Sequence, residues 1–324
     1  MVFVLFFGVL FVSRRAEGQD LPVYQLYLWQ PFLINPAVNG SGVSSSGVSS
    51  SGVSSSAACP YVQLLDRHQW PGAFKHAPKT QVLTAGKSFT RKRVGGRRHG
   101  LGLQLVNDAN GAYRQLRAGV AYSYHITVDR RRNLKLGFGL MPSVIQATYD
   151  ERDFTLMDDP IITRSVEKEI RPDLSTGIYL YSDRFHAGIS AVQLLGFTPS
   201  LNASRSEPGY FLHGGTLLPL SGDWSLQPGL SLAWLSSQIQ SDLNARLTYK
   251  ESYWLMLSYR HHWQTFPGQP SRLLLYAGLH HGNLSFGYGY DLGLSSMVRY
   301  GHGSHEFMVG YRFCPRCIPC RAYQ

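Results

Sequence analysis

No run of eighteen apolar residues follows Val12 in this chain, which excludes a bundle of membrane-spanning helices. Charge is scarce as well: Asp, Glu, Lys and Arg together make up 16% of the 324 residues. Hydrophobic residues reach only 44% and the mean hydropathy is −0.15, so helical grease does not replace the missing charge. Acid is the scarcer sign, 20 residues against 31 Lys and Arg, and the net charge is +11. Such a balance points to acidic partners, of which nucleic acid is one class. Catalytic signatures are missing: there is no G-x-S-x-G, no H-E-x-x-H and no P-loop. The run "GSHE", residues 303–306, is the one place where a rim hydrolase of the phospholipase kind would be sought. The expectation is a non-enzymatic protein with no cofactor and no metal site.

Glycine and tyrosine are plentiful, 33 and 19 residues, and with so little charge they favour sheet over helix. The chain opens "MVFVLFFGVLFV", too short to span a membrane but of the length of a signal-peptide core. Ala16 and Gly18 are small residues at the usual spacing before a cut, so residues 1–18 read as a signal peptide cleaved before Gln19. An exported protein rarely meets nucleic acid, so acidic proteins or lipid headgroups are the better partners. Residues 20–40, "DLPVYQLYLWQPFLINPAVNG", are aromatic and broken by three prolines, which suits neither helix nor strand. Residues 42–56 repeat "GVSSS" three times and form a flexible tract.

From Cys59 onward a two-residue period dominates. In "NLSFGYGYD", Leu284, Phe286, Tyr288 and Tyr290 share one face, while Ser285, Gly287, Gly289 and Asp291 share the other. "LRAGVAYSYH", "LKLGFGL", "YWLMLSYR" and "HEFMVGYRF" alternate in the same way. About fourteen such strands begin near residues 59, 79, 100, 113, 133, 173, 184, 208, 223, 242, 252, 272, 282 and 304, with brief and long links in alternation. Strands of about 9 to 11 residues span a bilayer when tilted. A sheet in lipid must close on itself, because no water is there to satisfy an open edge. A soluble β-sandwich also alternates. The export signal, the even strand number and the aromatic ending "EFMVGYRF" favour a transmembrane antiparallel β-barrel over residues 59–313. Short turns and both termini then face the periplasm, with a Cys-rich periplasmic tail at residues 314–324 and an N-terminal segment at 19–58.

At this point the sequence resembles a known family. "YQLYLWQPFLINPAVNGS" is similar to the opening of the PorP/SprF family, with Gln25, Tyr27, Asn35 and Pro36 on the motif and Gln30 in place of its first Asn. "RHQWPG", "GLGLQLVNDANG", "YSYHI", "GYGYD" and "GSHEFMVGYRF" resemble that family's later landmarks, in order, out to Phe313. The resemblance implies an outer-membrane barrel of the type IX secretion and gliding-motility apparatus of Bacteroidota. It also implies partners: a periplasmic ring, a peptidoglycan-binding lipoprotein and a secreted surface adhesin. A porin-like transporter of small solutes is the alternative.

Several residues stand out as candidate contacts. Fourteen strands leave a lumen that must be filled or leak, so residues 20–40 are expected to plug or cap the periplasmic mouth. Arg117, Lys135, Arg260, Arg272 and Arg312 share the lumen parity, with few acids such as Glu306 against them. Such an interior could hold an acidic polypeptide. The turns "RKRVGGRR" and "DRRRN" would meet anionic headgroups or an acidic partner, or remain solvated. His280 and His281 fall at one end of the barrel and His261, His262, His302 and His305 at the other, too far apart for one metal site. Cys314, Cys317 and Cys320 follow a C-x-x-C-x-x-C spacing that hints at soft metals, yet an exported chain favours disulfides. Closure makes the first and last strands neighbours, so Cys59 is expected to approach Cys314 within disulfide reach.

Overall fold

A computed structural model describes residues 26–42, 59–72, 76–90, 97–150, 166–196, 208–235, 238–263, 271–294 and 303–313. The expected signal peptide, the GVSSS tract beyond Gly42 and the Cys-rich tail lie outside these residues.

The period-2 segments form strands, as their alternation requires. The first seven are β1 (Tyr61–Gln69), β2 (Lys79–Thr90), β3 (Arg98–Asn110), β4 (Tyr113–Asp129), β5 (Leu134–Asp150), β6 (Val166–Tyr181) and β7 (Phe185–Val192). They are followed by β8 (Gly209–Thr216), a two-residue β9 (Leu218–Pro219), β10 (Trp224–Leu235), β11 (Gln238–Tyr249) and β12 (Tyr253–His262). The last three are β13 (Arg272–His281), β14 (Leu284–Gly293) and β15 (Ser304–Arg312). Leaving aside β9, which only pairs with the start of β10, fourteen strands form one antiparallel sheet. It closes where β1 pairs with β15, from Tyr61 opposite Arg312 to Gln69 opposite Ser304.

The chain enters β1 and leaves β15 at the same end of the barrel, the end that carries the brief turns. Those turns include residues 130–133, 182–184, 250–252 and 282–283. Positive φ at Asn133, Lys250, Glu251 and Gly282 gives them the twist that tight hairpins need. Residues 151–165, 193–208, 263–271 and 294–303 link strands at the opposite end.

The two faces differ as the alternation predicts. Phe286 and Tyr288 point outward, each 41% exposed, as do Val309, Leu257, Leu275 and Leu140. Outward Trp224, Tyr253, Tyr311 and Phe313 gather at the short-turn end, and Tyr149, Trp234, Tyr259 and Trp263 at the other. An apolar band between two aromatic girdles matches a bilayer with its two interfaces. A band this continuous would be an association hazard in water.

Two strands start earlier than the hydrophobic pattern indicates. β6 begins at Val166 rather than near 173, with Glu167, Lys168 and Glu169 paired to Tyr149, Thr148 and Ala147. β11 begins at Gln238 rather than near 242, opposite Leu235. Both extensions lie at the long-link end, where the backbone ladder continues past the hydrocarbon and outward side chains no longer need to be apolar.

The core sits inside the barrel. Leu26, Trp29 and Leu33 pack with Leu65, Val82, Met256, Leu274 and Met308. Tyr27 and Ile34 pack with Val192, Phe211 and Leu235. The N-terminal segment thus supplies the apolar filling that a wide barrel lacks.

Candidate functional site

The segment from Leu26 to Gly42 runs through the lumen. Its prolines are used rather than avoided: Pro31 opens the 3-10 turn Pro31–Leu33 and Pro36 opens Pro36–Val38. A proline at the first helical position gives up no intrahelical bond. The turns keep this segment compact, and Phe32, Leu33, Ile34, Asn35, Ala37 and Asn39 are all buried. Of the expected plug or cap, the course of the segment is that of a plug, since it reaches inward to the far half of the barrel.

In that far half, toward the long links, two aromatic donors reach buried carboxylates. Tyr27 Oη donates to Asp242 Oδ2 at 2.7 Å. Trp29 Nε1 donates to Glu306 Oε2 at 2.6 Å. Burial pushes the Tyr27 phenol well above its ordinary value and the Asp242 charge adds to the shift, so the hydroxyl stays a neutral donor. Arg260 grips Asp242 with two bonds, Nε at 2.8 Å and Nη2 at 2.9 Å. Arg67 Nη2 lies 3.1 Å from Asp291, and Arg67 Nε is ion-paired to Glu306 at 3.0 Å without an aligned hydrogen bond. Arg272 Nη1 completes the group on Asp291 at 2.9 Å. Three arginines thus face three carboxylates. A buried charge of either sign is tolerated only when paired in this way.

Glycines on the inward face make room. The Trp29 ring sits edge-on to Tyr276 at 4.9 Å and to Trp254 at 5.6 Å. A Cβ on Gly287 would stand 2.3 Å from the Trp29 ring. The small residues of "FGYGYD" are therefore the surface on which an internal indole rests, and they do not line an empty channel.

Nearer the short-turn end the anchors are amides and carbonyls. Asn35 Oδ1 accepts from Ala37 N at 2.9 Å, capping the second turn. Its Nδ2 donates to Ile178 O at 3.1 Å and lies 3.2 Å from His213 Nε2. Ser123 Oγ and His125 Nε2, the latter at 2.9 Å, both donate to Asn39 O. Arg98 Nη1 donates to Ser41 O at 3.0 Å.

All five basic residues singled out in the sequence face inward, but they do not form one surface. Arg260 and Arg272 are engaged by Asp242 and Asp291. Arg117 is buried and acts electrostatically on Asp108 and Asp173. Lys135 sits 5.9 Å above the Tyr181 ring. Arg312 lies at the short-turn end, with no carboxylate in salt-bridge range among the described residues. Of the motif residues, Tyr27, Asn35 and Pro36 belong to the lumen segment, and Gln25 lies outside the described residues. Cys59 is disulfide-bonded; Cys314, like Cys317 and Cys320, lies outside them. Arg67, Asp242, Asp291 and Arg246 were not singled out. Inward parity on their strands was the signal that marked them.

A closed fourteen-stranded barrel with a lipid-matched outer band and a filled lumen is an outer-membrane β-barrel. The family model described as "Type IX secretion system membrane protein PorP/SprF" matches residues 16–311. The chain belongs to that family, whose members are membrane components of a secretion system. Comparison with curated proteins returns no match. Among solved structures, the chain is similar to the Acinetobacter baumannii outer membrane protein Omp33, at 7% identity and TM-score 0.48, over 79% of this chain and 98% of that one. It is also similar to the β domain of the Bordetella autotransporter BrkA, at 14% identity and TM-score 0.41, over 78% and 98%. The BamA structure from Haemophilus ducreyi shares 12% identity at TM-score 0.42, over 79% and 70%.

Proposed function

We propose that this barrel is a sealed docking station of the type IX secretion and gliding-motility apparatus, not a conduit for solutes. The observation that supports it most is the lumen segment, whose Tyr27, Trp29, Asn35 and Asn39 are bonded to strands around the barrel. A porin needs a continuous aqueous path, and these anchors cross it. The short turns and both chain ends face the periplasm in this reading. They meet a periplasmic ring component and a peptidoglycan-associated lipoprotein, while the long links outside meet a secreted adhesin. No catalytic role is assigned, and the family's role in secretion requires none.

Photo-crosslinkers at Arg131 and Lys250 on the short turns, and at Leu195 on a long link, test this reading in cells. Periplasmic partners are expected from the first two and a surface protein from the third, with purified barrel closed in planar bilayers. Steady porin-sized conductance with no captured protein would support the transporter instead.

A further inference from the structure

Beside the lumen segment, on the side of β7 to β12, a cleft opens toward the short-turn end. It is lined by Leu28, Pro31, His186, His213, Gln227 and Arg246 among others, and its volume is about 80 Å³. That is room for several waters or one carboxylate-sized group with its carbon stem.

The cleft carries an uncompensated cation. Arg246 is 6% exposed, and its guanidinium lies 4.0 Å over the Trp254 ring. Its Nε has no hydrogen-bond partner, and among the described residues no carboxylate pairs with it. Gln227 stands directly across the ladder from Arg246, and its buried Nε2 is also unpartnered. Both residues line the cleft. His280 lies within electrostatic reach of both Arg246 and Arg312. Asp242, Asp291 and Glu306 belong to the opposite half of the lumen and are already paired there. Asp223, in a nearby turn, faces Lys250 at 4.0 Å. Stacking on an indole offsets only part of the cost of burying a guanidinium.

We propose that this cleft takes a carboxylate presented by an acidic polypeptide entering from the short-turn mouth. Leu28, Pro31 and Met256 offer apolar contact to the carbon stem, and Arg246 with Gln227 offers the fork and a second donor for the oxygens. Lipid headgroups are shut out by the barrel wall. The inference rests on the docking reading and adds the chemistry of the docked chain.

The test is calorimetry on the full-length barrel in detergent, with hexaglutamate, hexaglutamine and inorganic phosphate as probes. Hexaglutamate is expected to bind, hexaglutamine to fail, and phosphate to bind more weakly than hexaglutamate. Arg246→Gln should weaken hexaglutamate at least about tenfold, the usual cost of losing a charged hydrogen bond. Gln227→Leu should weaken it less, and serves if Arg246→Gln loses the heat-modifiable mobility of a folded barrel. Binding unchanged by these substitutions, no binding to wild type, or phosphate binding as tightly as hexaglutamate would each overturn the proposal. Partners caught by the turn crosslinkers alongside a failed titration would sink this site alone. A positive titration with no partner caught would sink the docking reading instead.

Discussion

The Trp29 indole and the Glu306 carboxylate, 277 positions apart in sequence, meet at 2.6 Å inside the barrel. The bond fixes the lumen segment to the last strand, and Glu306 also faces Arg67. Removing the indole leaves a cavity and takes one partner from a buried carboxylate. Trp29→Ala should cost roughly 3–5 kcal/mol and should open conductance steps in planar bilayers that the wild type lacks. A variant as silent as wild type would show that the seal does not depend on this residue.

Arg260 and Asp242 make the best-aligned pair in the lumen, both fully buried and joined by two bonds. Arg260→Leu strands Asp242 and should cost about 3–5 kcal/mol. The double change with Asp242→Leu should recover most of that loss, since a buried pair replaced by apolar residues is close to neutral. Urea unfolding followed by tryptophan fluorescence checks both, and equal losses in the single and double variants would deny the coupling.

Gly287 is the seat of the Trp29 ring. A methyl group there would overlap the ring, with 2.3 Å to its nearest atom. Gly287→Ala is expected to cost about 1–3 kcal/mol by overpacking and to raise protease cleavage within residues 26–42. Pairing it with Trp29→Leu should relieve the overlap and restore protection. Protection unchanged in Gly287→Ala would mean that the ring has another place to go.

The barrel was readable because lipid imposes a strict two-residue period, and Phe286, Tyr288, Leu255 and Leu257 obey it. Legibility ended where that constraint ends: at Glu167–Glu169 the ladder continues above the hydrocarbon and the pattern dissolves. The lumen segment was readable as something other than helix or strand, through Pro31 and Pro36. Its anchors were not, because Asp242, Glu306 and Ile178 are distant in sequence and only closure brings them to Tyr27, Trp29 and Asn35. The interior looked basic from Arg260 and Arg272, since their parity was visible while their pairing with Asp242 and Asp291 depended on register and tilt. Arg246 escaped notice for the same reason: nothing local marks an arginine as lacking a partner.

Closure of the barrel makes one more bond testable. Phe313 N donates to Pro60 O at 2.8 Å, just past the pairing of Tyr61 with Arg312. Carried one position further, the same register would set Cys59 against Cys314. Cys59 is disulfide-bonded, and the chain has four cysteines, so its partner is Cys314, Cys317 or Cys320. Trypsin separates these choices, because Arg312, Arg316 and Arg321 place Cys314 on one peptide and the other two on the next. Mass spectrometry of unreduced protein should find the Cys59 peptide joined to residues 313–316. A join to residues 317–321 would refute the register extension. Cys59→Ser should then destabilise the barrel by roughly 2–4 kcal/mol. It should also speed amide exchange at Val62 and Tyr311 while leaving β4 and β5 unchanged, since only the seam between first and last strands loses its tie.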